Sequence, residues 1–292
     1  MVPLKNAHQK FIDHLKSKNR ANATVLAYGK DIDQLIEFLM ELERAHITEI
    51  SKEDIQAFMA KLLKKGYTPK SVSRKTNAIK TFFRFLKVDE YITDDPALLV
   101  SHPKFETKPP RILSETEYRA LRDAVRNDIR TYAIVELLIQ TGIRIGELSR
   151  LKLNDVTLGK GEKTGEIRIA VFNRHPERTV PLNTRSKKAL EAYLKELPKK
   201  GQAKNVFITR TGKALLVRNI RATIKRYLEL AGIQDATVND LRHTFIAQQL
   251  KRGASLVLVS KIAGHRRLST TEKYLEHIEV TAPAEKMELA EL

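Results

Sequence analysis

The sequence predicts a mainly α protein with a small β-sheet, in two domains, the second of them α+β. Three observations carry this. The first part of the chain is a series of amphipathic segments punctuated by helix caps. A proline-bearing stretch without periodicity, Ser101 to Ile112, interrupts it. Two alternating segments around a short turn then stand among further helical patterns.

In the first part, "ATVLAYGKDIDQLIEFLMELE" places Leu26, Leu35, Leu39 and Leu42 as the apolar side of one helix. "ISKEDIQAFMAKLLKKG" has Ser51 as N-cap and Asp54 three positions on. Ile50 and Ile55 are spaced as a hydrophobic staple, and Gly66 is placed to end the helix. In "TPKSVSRKTNAIKTFFRFLK", Thr68 caps, Pro69 takes the first helical position, and Val72, Ile79, Phe82, Phe83 and Leu86 form the stripe. The expectation is a bundle of about four helices over residues 1–100, then an extended linker over 101–112. The second domain, 113–292, opens with a capping box of Ser114 and Glu117, with Leu113 and Tyr118 as its staple. "DIRTYAIVELLIQTG" reads as a buried helix stopped by Gly142. "GEIRIAVFN" and "ERTVPLN" flank "RHP" as a hairpin, and helices run to the end, the last over 283–291.

The formal net charge is +18, which calls for a partner of opposite sign, nucleic acid first and acidic membrane surfaces second. From Ala60 to Val88 there is no Asp or Glu, while Lys61, Lys64, Lys65, Lys70, Arg74, Lys75, Lys80, Arg84 and Lys87 fall in that window. Helix faces of one sign repel themselves unless phosphates neutralise them, so these residues are expected to contact DNA or RNA; the bland alternative is a solvated basic face. The absence of cysteine excludes disulfides, thiolate metal sites and thiol catalysis. No run approaches a membrane span and the start lacks an apolar signal core, so a cytoplasmic, soluble protein is expected.

Four places in the second domain concentrate polar chemistry: Arg144 in "TGIRIGELSRL", Arg242 in "VNDLRHTF", His265 after Gly264, and Tyr274. Singly each has a bland reading. Arg144 is placed to pair with Glu147, a histidine after glycine is usually a loop residue, and a helix tyrosine is usually packing. As a set they suit direct attack on a phosphodiester. Two guanidiniums can clamp the non-bridging oxygens, an imidazole can hydrogen-bond or move a proton, and a phenol near pKa 10 needs cationic neighbours or a base to attack. Ser269 and Glu272 are spaced as a capping box for a short helix bearing Tyr274. Nothing resembles the acidic cluster that holds Mg²⁺, so no metal and no cofactor is expected. Arg266 and Arg267, between His265 and Tyr274, are expected on DNA phosphates. His243 follows Arg242 directly, about 100° away around a helix, and reads as structural.

Together "TGIRIGEL", "LRHTF" and "AGHRRLSTTEKYLEH" resemble, in order, the catalytic motifs of the tyrosine recombinases of the Xer/phage-integrase family, and the charged composition resembles archaeal Xer-like members. The resemblance spans essentially the whole chain. It implies a helical, SAM-like core-binding domain and a catalytic domain forming a C-shaped clamp on duplex DNA. It also implies Arg144, Arg242 and His265 as catalytic residues, Tyr274 as nucleophile, and a 3′-phosphotyrosyl intermediate formed without metal or ATP. Pseudo-palindromic sites, a dimer on each site, a tetramer in synapsis, exchange of the C-terminal helix in trans and a nucleoid-associated location follow from the same resemblance.

Two positions depart from the family pattern. The hairpin lysine that protonates the leaving oxygen is replaced by Asn173, and the turn "NRHP" holds no lysine. Arg174 restores charge but is a poor acid, whereas His175 titrates in a useful range, so these two are the substitutes. The histidine three residues before the second arginine is replaced by Asn239, which, like Asp240, is also placed to cap the helix carrying Arg242. Asn173 and Asn239 keep open a second class of function, a DNA-binding relative without efficient cleavage. A helix-turn-helix regulator explains the charge but not the ordered Arg, Arg, His and Tyr.

Overall fold

The computed structural model describes residues 2–106, 108–159, 164–172, 175–197 and 204–279. The expected C-terminal helix over 283–291 lies outside them, as do Asn173 and Arg174. The chain divides into two compact units, Met1–Thr107 and Lys108–Leu292.

The first unit holds α1 (Leu4–Ser17), α2 (Asn22–Glu41), α3 (Lys52–Lys64) and α4 (Pro69–Val88). Ser51 and Asp54 close a capping box on α3, and Thr68 caps α4 by accepting from Ser71 N–H. The α4 stripe of Val72, Ile79, Phe82, Phe83 and Leu86 is fully enclosed, with Phe11 of α1 edge-on to Phe82 at 5.2 Å between centroids. On α2 the expected stripe is half right. Leu35 and Leu39 are buried, but Leu26 is 66% and Leu42 40% exposed. Leu26 lies nine residues (35 − 26) from Leu35, which at about 100° per residue is the opposite side of the helix. Leu42 lies beyond the last helical residue.

The basic window is less one-sided in space than along the chain. Lys75 is buried, contrary to its expected place on DNA. Its ammonium donates to Asp31 at 2.8 Å and to Gln34 at 2.6 Å. Arg74 forks onto the same Asp31 carboxylate, and Lys61 pairs with Glu41. The counter-charges that the window lacks are supplied by α2. Lys64, Lys65, Lys70, Arg84 and Lys87 remain exposed, and half-buried Lys80 donates to the Leu98 carbonyl.

The second unit begins with α5 (Glu115–Val125), capped by the Ser114–Glu117 box, and α6 (Ile129–Thr141). Then come α7 (Ile145–Arg150), strands β1 (Val156–Thr157), β2 (Gly165–Ile169) and β3 (Arg178–Leu182), and helices α8 (Thr184–Lys195), α9 (Val217–Leu230), α10 (Val238–Lys251), α11 (Leu256–Ala263) and α12 (Ser269–Glu272). Helix α6 is the axis of this core. Its residues Ala133 to Thr141 are all buried, and α8 and α10 pack on it. The described strands form one antiparallel sheet, β1-β2-β3, with Ile167 opposite Val180. Ile167, Ile169, Val180 and Leu182 face inward at alternate positions. The hairpin strands stop short of the expected "AVFN", because Val171 and Phe172 are exposed; a single bridge joins Phe172 to His175.

Two expected caps are corrected. Helix α10 is capped by Thr237, whose backbone N–H and hydroxyl both reach Asp240, so Asp240 is the third helical residue and Asn239 the second, exposed. Helix α12 has no side-chain cap. Leu268 already has helical angles (φ −60°, ψ −36°), so Ser269 lies inside the helix instead of taking the extended conformation of a cap. Tyr274 follows that helix, at the head of a 3₁₀ turn over Leu275–His277.

Candidate active site

The site grows from the C-terminus of α11. A helix end leaves its last carbonyls without partners and carries partial negative charge. Gly264 closes α11 in the left-handed region (φ +67°), and the His265 N–H returns to the Ser260 carbonyl at 3.0 Å. The carbonyls of Ile262, Ala263 and Gly264 are taken by three arginines from three other elements. Arg178 of β3 donates Nε–H to Ile262 at 2.8 Å. Arg242 of α10 donates to Ala263 at 2.7 Å and also to the Gly142 carbonyl. Arg144, at the head of α7, donates to Ala263 at 3.3 Å and to Gly264 at 2.8 Å. Two guanidiniums from distant parts of the sequence therefore share one backbone oxygen.

Glu147 holds the group together. It accepts from Arg178 at 3.0 and 2.7 Å, from the Arg144 guanidinium at 3.0 Å and from the Arg144 backbone N–H at 2.8 Å. Burial would raise its carboxyl, but the Arg178 hydrogen bonds and charge, with those of Arg144, override it and hold the pKa at about 2. The Arg144–Glu147 pair expected from spacing thus exists, and Arg144 still reaches past it to α11. Burial, then the charges of Arg144 and Arg178, push Arg242 down to about 9, still cationic at neutral pH; Glu147 opposes the shift. Three guanidiniums against one carboxylate leave two positive charges (3 − 1), a match for the doubly charged transition state of phosphoryl transfer.

Two glycines make this approach possible. A Cβ on Gly264 would stand 2.8 Å from the Arg178 guanidinium, and one on Gly142 (φ +61°) would stand 2.2 Å from the Phe245 ring. Gly142 ends α6 and turns the chain so that Arg144 heads α7.

Tyr274 is buried at 6% exposure, and its hydroxyl lies 2.5 Å from Nδ1 of His243. Burial raises its pKa above the usual phenol value, Arg242 opposes this, and Asp240 adds to it. His265 places Nδ1 2.7 Å from the hydroxyl of fully buried Thr271 on α12. Burial, followed by the charges of Arg242, Arg144 and Arg178, pushes His265 down to about 4, so it is neutral at neutral pH. His175 has a buried Nδ1 with no hydrogen-bond partner among the described residues. Burial and the charge of Arg144 lower its pKa, Glu147 opposes this, and Arg178 and Arg266 lower it further. Arg266 and Arg267 are exposed just before α12, and Asn239 is exposed on the first turn of α10.

The structure thus brings Arg144, Arg242, His265, Tyr274 and His175 together, and adds three residues that sequence reading passed over. Arg178 sits in "ERTVPL" as an ordinary strand arginine, and its 7% side-chain exposure is a tertiary fact. Glu147 was visible only as a partner of Arg144. His243 reads as structural from helix geometry alone, because the angle to Arg242 says nothing of what faces it from the turn after α12.

Residues 111–279 match the phage integrase family, and residues 9–90 match the phage integrase N-terminal SAM-like domain. Tyrosine recombinase XerC of Chlorobaculum parvum is 32% identical over 302 aligned positions, covering 90% of this chain and 88% of that protein. Tyrosine recombinase XerD of Staphylococcus epidermidis is 32% identical, covering 88% of each. A lambda integrase dimer bound to a COC′ core site shares the fold, with a TM-score of 0.77 at 17% identity over 92% of this chain and 97% of that one. With both segments matched and full-length relatives at this identity, the chain belongs to the phage integrase family and is a tyrosine-type site-specific recombinase.

Proposed function

We propose that this recombinase breaks a DNA strand by attack of the Tyr274 hydroxyl on a backbone phosphate held between Arg144 and Arg242, leaving a 3′-phosphotyrosyl link and a free 5′ hydroxyl. Rejoining is the reverse attack by a 5′ hydroxyl from another strand, so the energy of the broken bond stays in the tyrosyl ester and no nucleotide is spent. The observation that carries the reading is the shared Ala263 carbonyl. Two guanidiniums gathered around one oxygen are preorganised for an anion with several, and a phosphate has more to offer them than a carbonyl.

Neutral His265 hydrogen-bonds a non-bridging oxygen. His175 supplies the proton to the leaving 5′ oxygen in place of the hairpin lysine. Its unpartnered nitrogen supports this, and a phosphate arriving among the arginines raises its pKa towards the working range. Asn239 reaches a phosphate as a neutral donor. Lys64, Lys65, Lys70, Arg84, Arg266 and Arg267 neutralise the flanking backbone. The chain acts on pseudo-palindromic sites as a dimer and synapses two sites as a tetramer, with the segment 283–291 exchanged between subunits. Resolution of chromosome dimers and movement of an integrating element are equally served by this chemistry.

The test is a duplex selected by binding from a random library, carrying a nick beside the scissile phosphate so that cleavage cannot reverse. Wild type is expected to give a covalent, protease-sensitive adduct, and Tyr274→Phe none. No adduct on a tightly bound site, or an adduct with the Phe variant, overturns the proposal.

A further inference from the structure

We propose that His243 is the general base of the reaction: its Nδ1 takes the proton from the Tyr274 hydroxyl as that oxygen attacks phosphorus, and returns it when the tyrosyl ester is broken. This rests on Tyr274 being the nucleophile. The contact is direct, 2.5 Å from Nδ1 to the phenol oxygen, with the two rings 5.8 Å apart at 38°. Among the described residues no other side chain is within hydrogen-bond distance of that oxygen.

The need for a base follows from the surroundings. Burial raises the Tyr274 pKa, and Arg242 only partly offsets it, so the phenol does not ionise unaided at neutral pH. The charged and titratable groups facing this pair are Asp240 and Arg242 from α10, and His265 from the turn after α11. Asp240 is committed to the cap of its own helix, where it accepts from the Thr237 N–H and hydroxyl. Arg242 has no lone pair to offer, and the Nδ1 of His265 is engaged by Thr271. Burial, with Arg242 and against Asp240, lowers the pKa of His243 and favours the neutral ring, whose Nδ1 accepts from the phenol in the tautomer protonated at Nε2.

The proton balance is complete. In cleavage the Oη–H bond breaks and the proton goes to Nδ1. Oη bonds to phosphorus, and the 5′ oxygen leaves with a proton from His175. In rejoining, His175 takes the proton of the attacking 5′ hydroxyl and the imidazolium of His243 returns its proton to Tyr274. A neutral histidine on the phenol and a protonated one on the leaving oxygen divide the base and acid roles between residues far apart in sequence.

The experiment measures single-turnover adduct formation on the nicked duplex for wild type, His243→Gln, His243→Ala and His175→Ala. Each is also run on a duplex with sulfur in place of the scissile 5′ oxygen, a leaving group that needs no acid. His243→Gln keeps a hydrogen-bonding group but cannot take the proton. It is expected to lose about 10²-fold or more at pH 7, equally on both duplexes, and to recover about tenfold per pH unit above 7 as hydroxide supplies phenolate. His175→Ala is expected to lose rate only on the ordinary duplex. Introducing 3,5-difluorotyrosine at position 274, a more acidic phenol, must shrink the His243→Gln loss to a few fold, which a misfolded variant could not show. A His243→Gln rate within threefold of wild type overturns the proposal. So does rescue of its loss by sulfur, or a loss that ignores both pH and fluorination. Abolition of the adduct by Tyr274→Phe, with His243 variants at full rate, would sink this inference alone; an adduct from Tyr274→Phe would sink the nucleophile assignment beneath it.

Discussion

Glu147 grips Arg178 with both carboxylate oxygens, at 3.0 and 2.7 Å, while the same two oxygens accept from Arg144. One acid in the core of the site thus sets the position of two arginines from different elements. Glu147→Gln keeps the shape and removes the charge, leaving Arg178 buried and unpaired. The expected cost is about 3–5 kcal/mol in urea denaturation at pH 7. The pH dependence has a definite sign. A carboxyl at about 2 in the folded chain and 4.5 unfolded stabilises fully above 4.5 and loses that contribution as pH falls towards 2. Glu147→Gln is expected to lack this acid slope; an unchanged slope would show that the acid sensitivity arises elsewhere.

Gly142→Ala and Gly264→Ala should differ in severity. Both positions have positive φ, which costs a side chain about 1–2 kcal/mol. At Gly142 the new carbon meets the fully buried Phe245 ring at 2.2 Å, and at Gly264 it meets a guanidinium at 2.8 Å. The ring cannot withdraw, whereas Arg178 can move at the expense of its bonds. Thermal denaturation is expected to rank Gly142→Ala as the less stable. Adduct assays are expected to show Gly264→Ala folded but slow.

His265 is expected to titrate below pH 5 when its ring resonances are followed by NMR, because burial and then Arg242, Arg144 and Arg178 disfavour its charged form. A histidine depressed to about 4 from 6.5 withholds stability as pH falls between those values, since the unfolded chain takes up the proton first. His265→Gln is expected to flatten the stability curve over that window. A titration midpoint at 6 or above would contradict the packing described for its ring.

The slope of DNA affinity against salt separates exposed from committed cations in the first unit. Lys64→Ala and Arg84→Ala, at exposed positions, are each expected to reduce the log–log slope by about 1. Lys75→Met is expected to leave the slope unchanged and to cost about 1–3 kcal/mol of stability, because it withdraws a partner from buried Asp31. A reduced slope in Lys75→Met would place that ammonium on DNA after all.

Much of the fold was legible because its signals are local. Ser51, Thr68 and Ser114 announce helices by chemistry confined to three or four residues, and Gly142 ends a helix where only a positive φ fits. The caps misassigned at Ser269 and Asn239 show the limit of that reasoning. The polar residue types are present, but a residue one or two positions earlier, Leu268 or Thr237, decides where the helix begins. Lys75 failed for a different reason, since its partner is 44 positions away on α2. The site divides likewise. Arg144, Arg242, His265 and Tyr274 stand in motifs with order and spacing. Arg178 and His243 are defined by what faces them across the fold, and no spacing rule reports that.

Thr271 is fully enclosed, and its hydroxyl fixes the ring of His265 from the same four-residue helix that leads into Tyr274. The proposed nucleophile and the residue that anchors His265 thus stand three positions apart on one short segment. Any displacement of α12 would be expected to part the phenol from His243 and Thr271 from His265 together. On the proposed chemistry, loss of this one segment would remove the attacking hydroxyl and the support of His265 together, so the two roles are expected to be lost as a unit.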